Sequence, residues 1–178
     1  MLRVSLSLIL FGAFCLPATA TAPAANNTSA VSDLHGKLCH SVASSAHGSV
    51  RSCPGVRGYA LLVYDDDDRT SIDIVAPRGA VYPLSLWDVV TPGYAVIGQK
   101  ALWLLGQRKG RQVPTALQLR LTKLDKHDTG ELIAVARIDA DGACVVFRGD
   151  ARAPNSERIA ARAAANRYSR CLGPYQDD

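Results

Sequence analysis

No apolar run in this chain is long enough to cross a bilayer as a helix, which takes about 20 residues. There is no G-x-S-x-G elbow of the kind that presents a nucleophilic serine, and no glycine-rich loop that would cradle a phosphate. Internal repeats and heptads are missing too, which excludes solenoids and coiled coils. Charge of one sign is also scarce. The 20 basic and 16 acidic residues leave +4, without the clustered basic face that nucleic-acid binding needs.

The first twenty residues have a function of their own. Arg3 gives a basic start, Leu6 to Leu16 a compact apolar run, and Ala18-Thr19-Ala20 the small residues that a signal peptidase reads. Phe14 stands before Cys15 where lipidation would want a small residue. We therefore expect a signal peptide over 1–20, cleaved after Ala20, and a periplasmic or secreted product. Loss of Arg3 lowers the net charge from +4 to +3. Residues 21–35 are small and polar and read as a disordered leader. They contain sequons at Asn26 and Asn27. Residues 36–173 remain as a single domain, followed by a tail over 174–178.

Without Cys15, four cysteines are left: Cys39, Cys53, Cys144 and Cys171. An even number in an exported chain points to two disulfides. Three pairings are possible, and we favour the sequence-local one, Cys39–Cys53 with Cys144–Cys171.

Alternation of apolar and polar residues marks the strands. Gly58 to Tyr64 and Arg69 to Val75 suit a hairpin joined by Asp65 to Asp68, with Leu61 beside Ile72 and Val63 beside Thr70. Residues 76–98 are irregular, with Trp87, Val89, Val90 and Tyr94 pinning the loop to the core. Further strands are expected over Lys100 to Leu105, Ala116 to Leu124, Glu131 to Asp139 and Ala143 to Arg148. Asn155 or Ser156 can cap a helix whose stripe runs Ala160, Ala161, Ala164, Ala165, Tyr168, Cys171, Leu172. A Cys144–Cys171 bond would clamp this helix onto the alanine-rich face of the last hairpin. The expected fold is α+β: a mostly antiparallel sheet of about six strands, one C-terminal helix packed on it, and two disulfides.

The candidates for chemistry are few. Asp65 to Asp68 lack the spacing, glycine and glutamate of a helix-loop-helix calcium site; they read as a solvated turn, with weak calcium binding as the alternative. Cys39, His40, His47 and Cys53 fit no common zinc spacing, and a disulfide competes for the thiols. Asp125, His127 and Asp128 read as a polar turn, and Ser85 as an ordinary loop residue. Arg152, Arg158, Arg162, Arg167 and Arg170 suit a solvated helix face, or an acidic partner such as lipid headgroups. Trp87, Tyr94 and Trp103 are core anchors or the lining of a ligand groove. We name no catalytic residue, metal ligand or cofactor.

Three landmarks lie in order: Lys37-Leu38-Cys39, then Cys53-Pro54-Gly55-Val56-Arg57-Gly58-Tyr59, then Gly98-Gln99-Lys100-Ala101-Leu102-Trp103. With Gly130 to Ile138, Ala143-Cys144, and Asp150 to Asn155 leading to an alanine-rich helix ending at Cys171, the chain resembles a family of small exported proteobacterial proteins of unknown function. The resemblance spans most of residues 36–172, and Ala76 to Ala95 depart from it. It implies export and a shared fold, and brings no activity. The expected function is non-catalytic binding of a protein or envelope component. The alternative is a small periplasmic hydrolase using His127, Asp125 or Asp128.

Overall fold

The structure is a computed structural model that describes residues 28–127 and 129–173. The expected signal peptide and its expected cleavage after Ala20, the sequon asparagines Asn26 and Asn27, and the tail over 174–178 all lie outside the described residues. The strands are β1 (Thr28–Asp33), β2 (His40–Ser44), β3 (Gly48–Pro54), β4 (Ala60–Asp66), β5 (Arg69–Val75), β6 (Val81–Pro83), β7 (Ala95–Arg108), β8 (Arg111–Lys123), β9 (Glu131–Ile138) and β10 (Ala143–Asp150). Two helices join them, α1 (Leu86–Val89) and α2 (Ser156–Ala165).

The described residues thus form one mixed sheet of ten strands, not an antiparallel one of six. Its order is β10-β9-β8-β7-β5-β4-β3-β2, with β6 added to β5 and β1 to β7. The parallel contact joins Arg69 of β5 to Ala95 of β7. Where those strands diverge, the Thr70 side chain stitches them: its Oγ1 donates to Ala95 O at 3.1 Å and accepts from Ile97 N–H at 2.7 Å. The strands not expected from sequence are the short or polar ones. β2 has five residues, all exposed, and so shows no apolar alternation.

Two layers of core follow. Leu61, Val63, Ile72 and Ile74 of β4 and β5 pack against Trp103 of β7, Leu117, Leu119 and Leu121 of β8, and Ala134, Ala136 and Ile138 of β9. Leu84, Leu86 and Val90 complete that core, so the loop over 76–98 is indeed pinned, though Tyr94 is exposed. A second, smaller core lies on the opposite face of β8 to β10. There Ala116, Ile133, Val135 and Val146 receive Ala160 and Ala164 of α2. The small alanines let helix and sheet approach closely. β9 is consequently apolar on both faces.

Four sequence expectations are corrected. The leader does not extend to residue 35. Thr28–Asp33 pairs with β7 from Leu105 to Lys100, and Leu34 is fully buried. Its inward positions, Ala30 and Ser32, are small, so the stretch lacks the apolar signature of a strand. The β4–β5 register is also shifted, with Leu61 opposite Ile74, Val63 opposite Ile72 and Asp65 opposite Thr70. This two-residue slip keeps every side chain on its expected face, as the period of a strand requires. Only Asp67 and Asp68 are left in the turn, at φ 46° and 63°.

Third, Cys144 lies opposite Arg137, on the outer face, and not with Ala134, Ala136 and Ile138. Fourth, α2 ends at Ala165, where Asn166 turns extended, and Asn155 makes no side-chain cap. Cys171 and Leu172 therefore follow the helix instead of belonging to it. Ser156 is nonetheless anchored, its hydroxyl donating to Asp150 O. Both local disulfides are present, Cys39–Cys53 and Cys144–Cys171. The second ties the segment after α2 to β10, where Leu172 N–H donates to Val145 O at 2.8 Å.

Gly55 shows why the Cys-Pro-Gly turn tolerates no larger residue. A Cβ there would sit 2.6 Å from Tyr59 O and 2.9 Å from the Trp103 ring.

Candidate ligand cleft

Alternation along β4 and β5 sends Leu61, Val63, Ile72 and Ile74 inward. It therefore sends Tyr64, Ser71 and Asp73 to the opposite face. Tyr64 pairs across the ladder with Ser71, and Leu62 with Asp73, so Tyr64 and Asp73 are diagonal neighbours. The Tyr64 hydroxyl donates to Asp73 Oδ2 at 2.9 Å. Pro83 of β6 lies across from Asp73. Ser85 and Trp87 of the following loop and helix complete a cleft of about 280 Å³.

The cleft is held by specific contacts. Ser71, almost fully buried, accepts the Leu86 N–H on its Oγ at 3.0 Å and so pins the start of α1 to β5. Leu84 N–H donates to Ile72 O at 3.2 Å. The ring of Trp87 stands edge-on to that of Tyr64, with centroids 6.4 Å apart. Ser85 is left-handed, at φ 46° and ψ 51°. A non-glycine residue is rare in that region, and such strain gathers at functional sites. Burial raises the Tyr64 pKa above its ordinary value, and the hydrogen bond and charge of Asp73 push it further the same way. The phenol thus stays protonated and keeps donating to Asp73.

Chemically, the cleft offers a carboxylate with one oxygen bonded to Tyr64, a serine hydroxyl, and the apolar faces of Trp87 and Pro83. A carboxylate has about four lone-pair sites, so Asp73 retains capacity for donors from a ligand. The set suits a molecule with hydroxyl or amine donors beside an apolar face. Helix α2 packs on β8, β9 and β10, at the other end of the sheet order from β4.

The residues singled out from sequence are dispersed. Trp87 lines the cleft, Trp103 is fully buried in the core, and Tyr94 is exposed, so the three aromatics share no groove. Asp66 pairs with Arg69 at 3.5 Å and Asp67 faces His47 at 3.9 Å, both in solvent at the hairpin tip. The thiols beside His40 and His47 are joined as Cys39–Cys53. All four histidines, His35, His40, His47 and His127, are exposed and sit on separate segments. His127 N–H donates to Asp125 Oδ1 at 2.8 Å in a local turn, while Asp128 lies outside the described residues. Arg152, Arg158, Arg162, Arg167 and Arg170 are exposed.

Among the described residues no group of three or more His, Cys, Asp or Glu gathers as metal ligands, and no helix is long and apolar enough to cross a membrane. Sequence reasoning missed Tyr64, Ser71 and Asp73 as a group. One signal was available: Asp73 interrupts the apolar run Ile72-Asp73-Ile74.

No family model, curated protein or solved structure matches this chain.

Proposed function

We propose that this protein is an exported, non-catalytic binding protein of the periplasm or the secreted fraction, and that it holds a protein or envelope component in the Tyr64–Asp73–Trp87 cleft. One observation carries the reading: a hydrogen-bonded carboxylate and phenol stand beside an indole on the outer face of β4 and β5. Half-buried polar groups of that kind orient a ligand, and the indole supplies apolar contact. The two disulfides support an oxidising compartment. The resemblance to small exported proteins supports the same location. The hydrolase reading has no observation in its favour, because His127 and Asp125 meet only through a backbone hydrogen bond in an exposed turn.

The test is calorimetry of the mature chain against envelope glycans and against peptides bearing lysine or arginine. Binding that disappears in both Asp73→Asn and Trp87→Ala supports the reading. Binding that survives both, or hydrolysis of any ligand that is bound, overturns it.

A further inference from the structure

A second cavity, about 400 Å³, opens between the β7–β8 hairpin, the end of β9 and the chain around the end of α2. Arg108, Arg137 and Arg167 line it, and Gln107 and Thr115 add an amide and a hydroxyl. The carboxylate in its wall belongs to Asp139, which accepts from Arg137 Nε at 2.8 Å. Three arginines against one aspartate leave the lining at +2. Arg137 is a fixed cation, because its Nη1 also donates to the carbonyls of Arg167 and Ser169 and its side chain is only 18% exposed. Arg108 and Arg167 are exposed, and the Arg167 guanidinium rests over the Tyr168 ring at 4.7 Å and donates to its hydroxyl, a contact an anion would have to compete with.

A second observation is independent of the cavity. The hairpin tip reads Arg108-Lys109-Gly110-Arg111, and Arg108 pairs directly across the ladder with Arg111. Like charges so placed disfavour the hairpin. Residues 95–112 contain no Asp or Glu that could offset them. Arg57 adds a further cation here, held by a 2.8 Å bond to Gln112 Oε1. The fold thus concentrates positive charge beside a cavity at the expense of local stability.

We propose that this cavity binds an oxyanion of the phosphate class. Guanidinium groups present paired N–H donors that match phosphate oxygens. The immobile Arg137 would set the orientation, while Arg108 and Arg167 close on the anion from the mouth. This site shares no residue with the cleft, and its fate is separate from that of the cleft reading.

The test is titration of the mature chain with inorganic phosphate at physiological ionic strength, followed by calorimetry and amide NMR. The expected result is saturable binding in the millimolar range or tighter, with shifts at Gln107, Arg108, Thr115, Asp139 and Ala165. Arg108→Ala with Arg167→Ala should weaken it by about tenfold or more. Arg158→Ala, at an exposed α2 position away from the cavity, should leave it unchanged. Failure to saturate, equal binding by the double variant, or an equal loss in Arg158→Ala would overturn the proposal. Sedimentation with phosphatidylglycerol vesicles, but not phosphatidylcholine ones, would assign the anion to a headgroup if it needs the same two arginines. Phosphate binding without sedimentation would assign it to a soluble phosphorylated ligand.

Discussion

The indole N–H of Trp103 donates to the hydroxyl of Ser32 at 3.0 Å, and that hydroxyl in turn donates to Pro54 O at 2.7 Å. A single serine therefore links the largest buried side chain of β7 to the backbone of β3. It does so from β1, a strand whose inward positions, Ala30 and Ser32, are small. Replacing Ser32 by alanine leaves the indole N–H and the Pro54 carbonyl without this partner. We expect a loss of about 1–3 kcal/mol, read as a lower urea midpoint with unchanged slope. A change below a few tenths would show that the relay contributes little.

The turn between β4 and β5 places two aspartates at positive φ, 46° and 63°. Type I′ hairpins need that conformation and favour Asn-Gly for it. Changing Asp67 to Asn and Asp68 to Gly should raise stability by about 1 kcal/mol, since a left-handed backbone penalises most side chains and a charge repulsion is removed. Changing Asp66 is different, because it would break the exposed pair with Arg69; a few tenths of a kcal/mol are at stake there. Chemical denaturation of both variants separates the two effects.

Each disulfide closes a loop, one spanning 14 residues and the other 27. Chain-entropy arguments give each about 3 kcal/mol. Thiol counting on the denatured, unreduced mature chain should find no free cysteine. Cys144→Ser with Cys171→Ser should loosen the segment after α2 and speed amide exchange at Leu172 most of all, because its N–H bonds to Val145 O beside the bridge. Uniform exchange across the chain would argue against that local effect.

Alkaline pH should weaken the fold through two phenols. Burial is the main cause that lifts Tyr64 and Tyr59 above the ordinary value of 10.0; Asp73 adds to it for Tyr64, and Arg108 partly opposes it for Tyr59. A folded-state pKa above the unfolded one means that the neutral phenol is favoured by folding. That contribution is complete below the unfolded pKa and is lost as pH rises through the folded values. In Asp73→Asn the Tyr64 phenolate should form at lower pH than in the native chain, as followed by phenolate absorbance. An unmoved titration would break the link between the two residues.

Much of the fold was legible because alternation is a local property. Leu117, Leu119 and Leu121 announce their shared face in the sequence, and Ile72 and Ile74 do the same. Even the slipped β4–β5 pairing kept its faces, because a shift by two residues does not alter which side is buried. The cleft was not legible. Tyr64, Asp73 and Trp87 come from a strand, its neighbour and a helix beyond a loop, and each looks ordinary in its own segment.

Sequence alone determined the class of the protein: sheet-rich, stapled by Cys39–Cys53 and Cys144–Cys171, ending in a small-residue helix. Those features depend on residue type and short-range period. Tertiary structure decided the rest. It drew Thr28–Asp33 into the sheet, although its inward positions Ala30 and Ser32 are small and its one large apolar residue, Val31, is exposed; there Ser32 satisfies the buried Trp103 indole. It put Cys144 opposite Arg137 on the outer face, because the turn pairs Ala143 with Ile138 and a one-residue change of register swaps the faces. It also brought Tyr64 to Asp73 and gathered Arg108, Arg137 and Arg167 around one cavity. Such pairings join residues as far apart as Ser32 and Trp103, 71 positions, and no local period encodes contacts at that range.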